Sequence, residues 1–323
     1  MSNSTGAPQD SVVTVVVAAF NVEAYVDEAL LSIRGQSLDA IEILVVDDRS
    51  TDGTRERLVR QSLLDPRIRI IDGPGNGPAA ARNMAIGQAQ GRWIAIVDAD
   101  DVIEPDRLAR LTAEGDRHAV DAVADNMIAF YEEDPTRDHP WIDAAVWPTP
   151  RALTFQDLMN GGLGAPPAPE LGYLKPVLRR ARLAQLGDVY RENLVIGEDF
   201  DLMARWTAAG FTYRYEPQAG YRYRRRVSSL SYRLSPDQID DMIAALDRLD
   251  RTATQFDAAS VAYRTAALRE VQLYARRVER LKRRDLTALA ALLADADGRR
   301  RLKTSIREGL GRRLRSLRRP VPA

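Results

Sequence analysis

The chain has 323 residues, of which 45% are hydrophobic and 28% charged, and its 46 basic and 46 acidic residues give a formal net charge of zero. This size and composition suit one large or two small globular domains with a real core, and they exclude a disordered chain. The absence of cysteine excludes disulfides and thiol nucleophiles and favours a reducing compartment, and no signal peptide or membrane-spanning run is visible, so we expect a cytoplasmic protein.

Short apolar runs alternate with helical patterns through the first hundred residues. Strands are predicted at residues 12–18, 41–46, 68–71 and 93–97, and helices at 24–36, 54–64 and 79–90. Continuous apolar strands that alternate with helices are typical of a parallel sheet covered on both faces. Ligands bind such sheets beyond the carboxyl ends of the strands, so the polar residues that follow each strand are candidates for a site.

The rest of the chain divides into two further regions. From about residue 121 to 233 the pattern is less regular, and we interpret it as a second half of the same domain, with a pocket for a second substrate. Ser235 and Pro236 predict a helix start, and the pattern stays helical to about Leu317. The predicted boundaries are a disordered N-terminus over 1–11, a main domain over 12–235 and a helical extension over 236–323.

An acidic motif follows the strand predicted at 93–97. Here Asp98, Asp100 and Asp101 come together where a buried strand should end. Alternate side chains of an extended strand point to the same side, so Asp98 and Asp100 should face one ligand. Mg²⁺ and Mn²⁺ are held by one or two carboxylates together with substrate phosphates. An acidic turn without a metal ion is the alternative, which the motif alone leaves open.

Further candidates follow the first two strands. Asp48 could accept a hydrogen bond from a base or a ribose, whereas we expect Asp52 to cap the next helix. Phe20, between Ala19 and Asn21 at the exit of the first strand, could stack on a base, although a lone aromatic residue is more often part of the core.

A glycine-rich loop, Gly73 to Gly77, runs into a helix that begins near Pro78. Exposed backbone N–H groups and the positive end of a helix favour anions, and Arg82 adds a fixed charge one turn later. The loop has neither the P-loop nor the dinucleotide glycine pattern. An ordinary loop and helix start remains the alternative.

Two charged groups come late in the main domain. Glu198 and Asp199 precede an amphipathic stretch; they either complement a helix dipole or supply a general base that takes a proton from a bound hydroxyl. Residues 221–226 carry four arginines, the last being Arg226, and these form either a solvated charge run or a clamp for a diphosphate.

Five motifs occur in the order seen in family 2 glycosyltransferases of the GT-A fold, and the chain resembles that family over about residues 12–233. The motifs are VVVAAFN at 15–21, VVDDRSTDG at 45–53, GPAAARN at 77–83, VDADD at 97–101 and GED at 197–199. Two shorter motifs, VADN at 123–126 and GYLKP at 172–176, add a similarity to bacterial exopolysaccharide enzymes of the succinoglycan type.

The resemblance implies a fold and an activity. The fold is α/β, a Rossmann-like, mostly parallel sheet flanked by helices, with a nucleotide-binding half over 12–110, an acceptor-side half over 111–235 and a C-terminal helical extension. The activity is inverting transfer of a sugar from a nucleotide diphosphate, usually UDP, to a hydroxyl of a lipid-linked saccharide. The implied cofactor is Mg²⁺ or Mn²⁺.

The resemblance also implies which residues bind the donor. These are Ala19, Phe20, Asn21, Asp48, Arg82, Asp98 and Arg226. Phe20 would stack near the base, Asp48 would bond the base edge, and Asp98 would face the ribose. Arg82 would lie near the phosphates.

Asp100 would hold the metal ion, and Asp199 would be the base, with Glu198 as the second choice. The chain departs from the family pattern in two places. Ala18 stands where the family has proline, and Arg226 stands where many relatives have histidine. An arginine would then contact the phosphate in place of a metal ligand.

The C-terminal segment 299–319 carries ten Lys or Arg and one acid, which leaves 36 basic and 45 acidic residues elsewhere. Its leucines recur at helical spacing, and a basic amphipathic helix suits an anionic membrane surface. We expect peripheral contact with the inner face of the cell membrane; a helix packed on the main domain is an equal alternative. Nucleic-acid binding is not expected, because interleaved aromatic residues are missing.

Two rival functions stay open. A nucleotidyltransferase also pairs carboxylates with a glycine-rich loop, although its basic N-terminal loop is absent here. A catalytically weak scaffold docked on a membrane would tolerate Arg226, but the presence of both Asp100 and Asp199 argues against it.

Overall fold

The computed structural model describes residues 12–162, 169–225, 234–283 and 285–294, together with 298, 299 and 303. The predicted disorder of residues 1–11 and nearly all of segment 299–319 lie outside the described residues. No helix in the described part is long and apolar enough to cross a membrane.

Ten strands of the described part form one sheet. They are β1 (Val13–Ala19), β2 (Ile41–Asp47), β3 (Ile68–Asp72), β4 (Trp93–Ile96), β5 (Val102–Ile103), β6 (Ala122–Phe130), β7 (His139–Pro140), β8 (Arg151–Ala152), β9 (Val177–Arg179) and β10 (Tyr213–Arg224). The order is β3-β2-β1-β4-β9-β6-β10-β5, with β7 beside β6 and β8 beside β10.

The sheet is mostly parallel, as predicted. Strands β3, β2, β1 and β4 pair in parallel, and β6 pairs in parallel with β10. Between these groups β9 runs antiparallel to both β4 and β6, so the six strands of the two groups point the same way. The short strands β5, β7 and β8 are also antiparallel to their neighbours. The carboxyl ends of β1, β2 and β4 therefore meet at one edge.

Helices cover the sheet and extend beyond it. They are α1 (Val26–Arg34), α2 (Thr54–Leu64), α3 (Pro78–Ile86), α4 (Arg107–Arg117), α5 (Phe155–Asn160), α6 (Arg180–Leu183), α7 (Glu198–Ala208), α8 (Pro236–Asp247), α9 (Ala258–Lys282) and α10 (Leu286–Ala294). Helix α3 ends four residues before its predicted end because Gly87 stops it and donates its N–H to the Asn83 carbonyl.

Apolar sequence explains the buried half of the sheet. Every residue of β2 is buried, and β1 is buried except for Ala18. Such strands have no solvent face, which is why their sequences read as continuous apolar runs. The core that they form continues under α1 through Val26, Leu30 and Ile33, which recur at helical spacing.

The C-terminal helices pack on the main domain. Helix α8 begins at Pro236, as the sequence predicted, and a capping box joins Ser235 and Gln238. From α9, Arg264 inserts its guanidinium between α5 and α7. It donates to the carbonyls of Leu158 and Gly161 at 3.1 and 3.0 Å. These helices therefore form one core with the sheet.

Candidate active site

A cavity of about 570 Å³ opens at the carboxyl ends of β1, β2 and β4. The exits of those strands, the glycine-rich loop and the start of α7 form most of its wall. The segment before β9 and the helices α8 and α9 close the remaining side. This is the edge at which parallel α/β sheets bind ligands, because loops there are set by the rigid strands beneath them.

Phe20 and Asp48 mark one end of the cavity. The Phe20 ring is 57% exposed and lies on the cavity wall, so the expectation that a lone aromatic here belongs to the core is wrong. Asp48 is buried, and its two carboxylate oxygens accept the N–H groups of Gly75 and Gly77 at 2.7 and 2.8 Å. Asp48 thereby fixes the glycine-rich loop, while remaining part of the wall.

The other residues near the first two strands divide between wall and support. Ala19 lies on the wall. Asn21 lies beside the cavity with a positive φ of 50°, and its side-chain oxygen accepts the Thr51 N–H at 2.8 Å, so it ties the two strand exits together. Asp52 accepts the Thr54 N–H at 3.0 Å, but it lies one residue before the N-cap position of α2, which is Gly53, so Asp52 is not the predicted N-cap residue.

A largely buried network of charges forms the floor of the cavity. Arg82 donates to Glu198 Oε1 at 2.7 Å and to Asp98 Oδ1 at 2.8 Å. Lys175 Nζ lies 2.9 Å from Asp98 Oδ2 and 2.6 Å from Asp199 Oδ2. Three carboxylates and two cations therefore alternate, and each cation bridges groups that are far apart in sequence. Arg82 was predicted to lie near the phosphates. In the structure its guanidinium is paired with the carboxylates of Glu198 and Asp98.

The two predicted candidates for the base differ in their surroundings. Burial alone would raise the pKa of Asp199, but Lys175 and Arg82 outweigh it and lower the pKa. The other oxygen of Asp199 accepts the Tyr190 hydroxyl at 3.0 Å. For Glu198, burial and the neighbouring Asp199 carboxylate raise the pKa. Asp199 is thus the carboxylate that is held ionised, by a donor at each oxygen.

The acidic motif after β4 does not act as one cluster. Asp98 belongs to the charge network, and Asp101 turns away from the cavity, where it accepts the Tyr221 hydroxyl and the Arg224 N–H, each at 2.7 Å. Burial and the carboxylates of Asp100 and Asp98 raise the pKa of Asp101 well above its usual range. Asp101 is therefore directed away from the side on which Asp98 and Asp100 line the cavity.

Asp100 lies on the cavity wall. The described residues contain no group of three or more His, Cys, Asp or Glu arranged to hold a metal ion. One carboxylate together with substrate phosphates is nevertheless a usual setting for Mg²⁺. The residues present therefore fit a metal ion that is shared between Asp100 and a bound diphosphate.

Within the arginine run, for which a solvated stretch and a diphosphate clamp were both left open, Arg224 is not solvated. Arg224 is buried and pairs with Glu28 at 2.6 Å and with Glu132, and its Nε donates to the Asp100 carbonyl at 2.6 Å. Arg224 therefore holds the acidic loop in position through the Asp100 carbonyl. Arg226 lies outside the described residues.

Two side chains of the network were missed in the sequence. Lys175 is 6% exposed, and Tyr190 is also buried. One signal could have pointed to Lys175, because the chain has three lysines among its 46 basic residues and this one stands in the apolar GYLKP motif. Tyr190 follows an irregular segment and carries no comparable signal.

The far side of the cavity is apolar and aromatic. Tyr173 and Tyr223 lie on this side, with ring centroids 5.1 and 5.9 Å from that of Trp141. Met242 of α8 and Leu268 of α9 complete the wall. The helical extension therefore shapes the space next to Asp199.

Solved structures share this architecture. TarS of S. aureus, in complex with UDP-GlcNAc, matches with a TM-score of 0.60 over 77% of this chain and 69% of that chain, at 23% identity. The mannosyltransferase PcManGT from Pyrobaculum calidifontis, in complex with GDP-Man and Mn²⁺, matches with a TM-score of 0.56 over 93% and 81%, at 20% identity. The protein therefore has the GT-A glycosyltransferase fold, as the motifs predicted.

The sequence comparisons give the family. Residues 14–179 match the model of glycosyl transferase family 2. The succinoglycan biosynthesis protein ExoO of Rhizobium meliloti (strain 1021) is 36% identical over 305 residues, which cover 93% of this chain and 86% of the relative. ExoU from the same strain is 34% identical over 231 residues, which cover 71% and 66%. The chain belongs to glycosyl transferase family 2 and is a glycosyltransferase.

Proposed function

We propose that this protein is an inverting, metal-dependent hexosyltransferase that moves a sugar from a UDP-hexose, such as UDP-glucose, to a hydroxyl of a lipid-linked oligosaccharide in exopolysaccharide assembly. The observation that carries the proposal is that Phe20, Asp48, Asp100 and Asp199 border one cavity. An aromatic ring, an acidic residue for a metal ion and a carboxylate for a proton are the groups that such a transfer needs.

The donor would lie across the strand ends. The exposed Phe20 ring suits stacking on the base, and Asp48 lies on the wall beside it. Asp98 would face the ribose while it stays paired with Arg82 and Lys175. The TarS structure contains UDP-GlcNAc, which supports a uridine nucleotide, and the names of the succinoglycan relatives support an exopolysaccharide acceptor.

Asp100 would hold Mg²⁺ or Mn²⁺ against the diphosphate. The ion, when bound, would neutralise negative charge on the departing nucleotide diphosphate. The chain prepares this position through Arg224, which holds the Asp100 carbonyl and the Asp101 carboxylate from the opposite side.

Asp199 would act as the base. The acceptor hydroxyl oxygen attacks the anomeric carbon on the face opposite the diphosphate, its proton passes to the Asp199 carboxylate, and the bond from carbon to the diphosphate oxygen breaks. One displacement inverts the anomeric centre. Glu198 is the second candidate, because it shares the wall and its raised pKa favours proton uptake.

Calorimetry tests the donor site first. UDP-glucose, UDP-galactose and UDP-GlcNAc would be titrated with and without Mn²⁺ into the wild type, Asp100→Asn and a surface control, Asp247→Asn. We expect Mn²⁺-dependent binding of at least one donor, lost in Asp100→Asn and kept in the control. Absence of binding to all three would overturn the UDP-hexose proposal and favour the scaffold alternative.

A further inference from the structure

We propose that Lys175 is a positioning residue for proton transfer, and that the buried pair of Arg107 and Asp125 holds the backbone of Lys175 in position. The inference rests on the proposed function, because it assumes that Asp199 is the base. It assigns a role to the motifs VADN at 123–126 and GYLKP at 172–176, which the donor site does not explain.

Lys175 contacts carboxylates on both sides of the reaction. Its ammonium lies 2.6 Å from Asp199 Oδ2 and 2.9 Å from Asp98 Oδ2. Asp98 belongs to the donor side, and Asp199 to the acceptor side. A buried ammonium loses its hydration and is stable only where carboxylates compensate for that loss. The Lys175 ammonium is therefore held between Asp98 and Asp199. Lys175 therefore fixes the distance between the donor carboxylate and the base.

Hydrogen-bond donors and charged side chains surround the Asp199 carboxylate. Lys175 and Tyr190 donate to its two oxygens, and Arg82 lies 3.7 Å from Oδ1. Glu198 and Asp98 are the other charged groups that face it. Without Lys175, Oδ2 would lose its donor and the carboxylate would be free to turn. A displacement of about 1 Å in a reacting group costs on the order of 100-fold in rate.

A second buried pair fixes the backbone of Lys175. Arg107 Nη2 donates to the Lys175 carbonyl at 2.5 Å and to Asp125 Oδ1 at 2.9 Å. The side chains of Arg107 and Asp125 are both fully buried, and Arg110 adds a bond to Asp125 Oδ2 at 3.1 Å. The two short motifs are thereby joined, since one supplies the carboxylate and the other supplies the carbonyl that share Arg107.

The test uses the full chain and the turnover of UDP-glucose, UDP-galactose and UDP-GlcNAc, measured as release of UDP in the presence of Mn²⁺. The variants are Lys175→Met, which removes the charge, Lys175→Arg, which keeps it, and Asp125→Asn, which weakens the support from a distance. Lys282→Met, on the exposed end of α9, is the matched control. Thermal melting checks that each variant folds, and calorimetry with UDP checks the nucleotide site.

We expect Lys175→Met to lower kcat by about 100-fold with a change in donor KM below about threefold, and Asp125→Asn to lower kcat by about tenfold. Because Lys175 lowers the pKa of Asp199 against the effect of burial, its loss should move the acid limb of the kcat profile to higher pH. Lys175→Arg should restore part of the rate and the original limb.

Three results would overturn the inference. Wild-type kcat and pH profile in a folded Lys175→Met would show that the base needs no such support. A folded Lys175→Met that loses UDP binding would make Lys175 a donor-site residue. If the wild type turns over none of the three donors, the UDP-hexose proposal fails, and the positioning role fails with it.

Discussion

Glu198 and Asp199 are adjacent in sequence, yet their carboxylates have different surroundings. Asp199 has a donor at each oxygen, from Lys175 and Tyr190, whereas Glu198 accepts one bond from Arg82. The sequence left a helix-dipole role and a base role open for this pair, and the resemblance of the GED motif to the family favoured the base. It did not show which of the two is held ionised, since that depends on residues far along the chain.

Asp199→Asn should abolish sugar transfer and leave donor binding largely intact. Amide and carboxylate have nearly the same shape, so the variant removes the proton acceptor and one charge of the buried network, while Asp98 still pairs with Lys175. Loss of a general base costs about 100- to 10,000-fold in rate. UDP release and calorimetry on the same preparation would measure both effects, with Glu198→Gln in parallel. A larger loss in Glu198→Gln would transfer the role of base to Glu198.

Stability in acid should depend on the same network. Burial raises the pKa of Asp98, but Lys175 and Arg82 outweigh it, so the pKa in the folded chain is lower than in the unfolded chain. The unfolded carboxyl takes up a proton near its ordinary pKa of about 4, while the folded one stays ionised. Its contribution is present above that pH and is lost as the pH falls through the lowered folded value.

The free energy of unfolding should therefore fall less steeply in Asp98→Asn than in the wild type as the pH drops from about 4 to 2. Urea titrations at several pH values would measure it. Asp247→Asn is the matched exposed control and should keep the wild-type slope. Equal slopes in Asp98→Asn and the wild type would mean that the pKa of Asp98 is not lowered.

At the scale of elements, Arg264 of α9 ties this helix to α5 and α7 beside the site. The guanidinium of Arg264 lies 3.7 Å from the centre of the Phe200 ring, next to Asp199, and closes the carboxyl end of α5 through two carbonyls. Helix ends leave carbonyls without partners, and a buried carbonyl that stays unpaired costs about 1–3 kcal/mol.

Arg264→Met should lower the free energy of unfolding by about 2–4 kcal/mol, because two buried carbonyls lose their donor while much of the side-chain volume is kept. Arg269→Met, an exposed change on the same helix, should stay within about 0.5 kcal/mol of the wild type. Chemical denaturation would compare them. A loss below about 1 kcal/mol in Arg264→Met would show that other groups close α5.

The sequence predicted best those elements whose signals lie within their own residues. Continuous apolar runs predicted β1 to β4 within two residues, and helix α2 was predicted at its observed bounds. Strand β9 and Tyr190 had no local signal, because their partners lie elsewhere. The bond from Arg82 to Glu198 spans 116 positions, and such pairs are set by the fold. The sequence motifs therefore predicted the loops at the strand ends. The buried charge network below those loops was visible only in the structure.

At the scale of the whole molecule, the net charge of zero is the sum of a basic C-terminal segment and an acidic remainder of the chain. Segment 299–319, of which the structure describes two residues, carries ten basic residues. We propose that it binds anionic membrane, where a lipid-linked acceptor would be available. Each Lys or Arg near such a surface contributes about 1 kcal/mol.

Replacing Arg312, Arg313, Arg318 and Arg319 by Gln should release the protein from vesicles that contain phosphatidylglycerol. Co-sedimentation would measure it, with phosphatidylcholine vesicles and added salt as controls, because screening weakens such contacts. Equal binding to both kinds of vesicle, or unchanged binding by the variant, would contradict a charge-based contact.

The inverted strand β9 has a consequence for how the enzyme can move. Its residues Val177 and Leu178 pair with β4 on one side and with β6 on the other, so β9 joins the two groups of parallel strands into one sheet. Hinge closure between two lobes would have to break this ladder. We therefore expect motion in surface loops rather than between lobes, and the amides of β9 should be among the slowest in the described part of the chain to exchange with solvent.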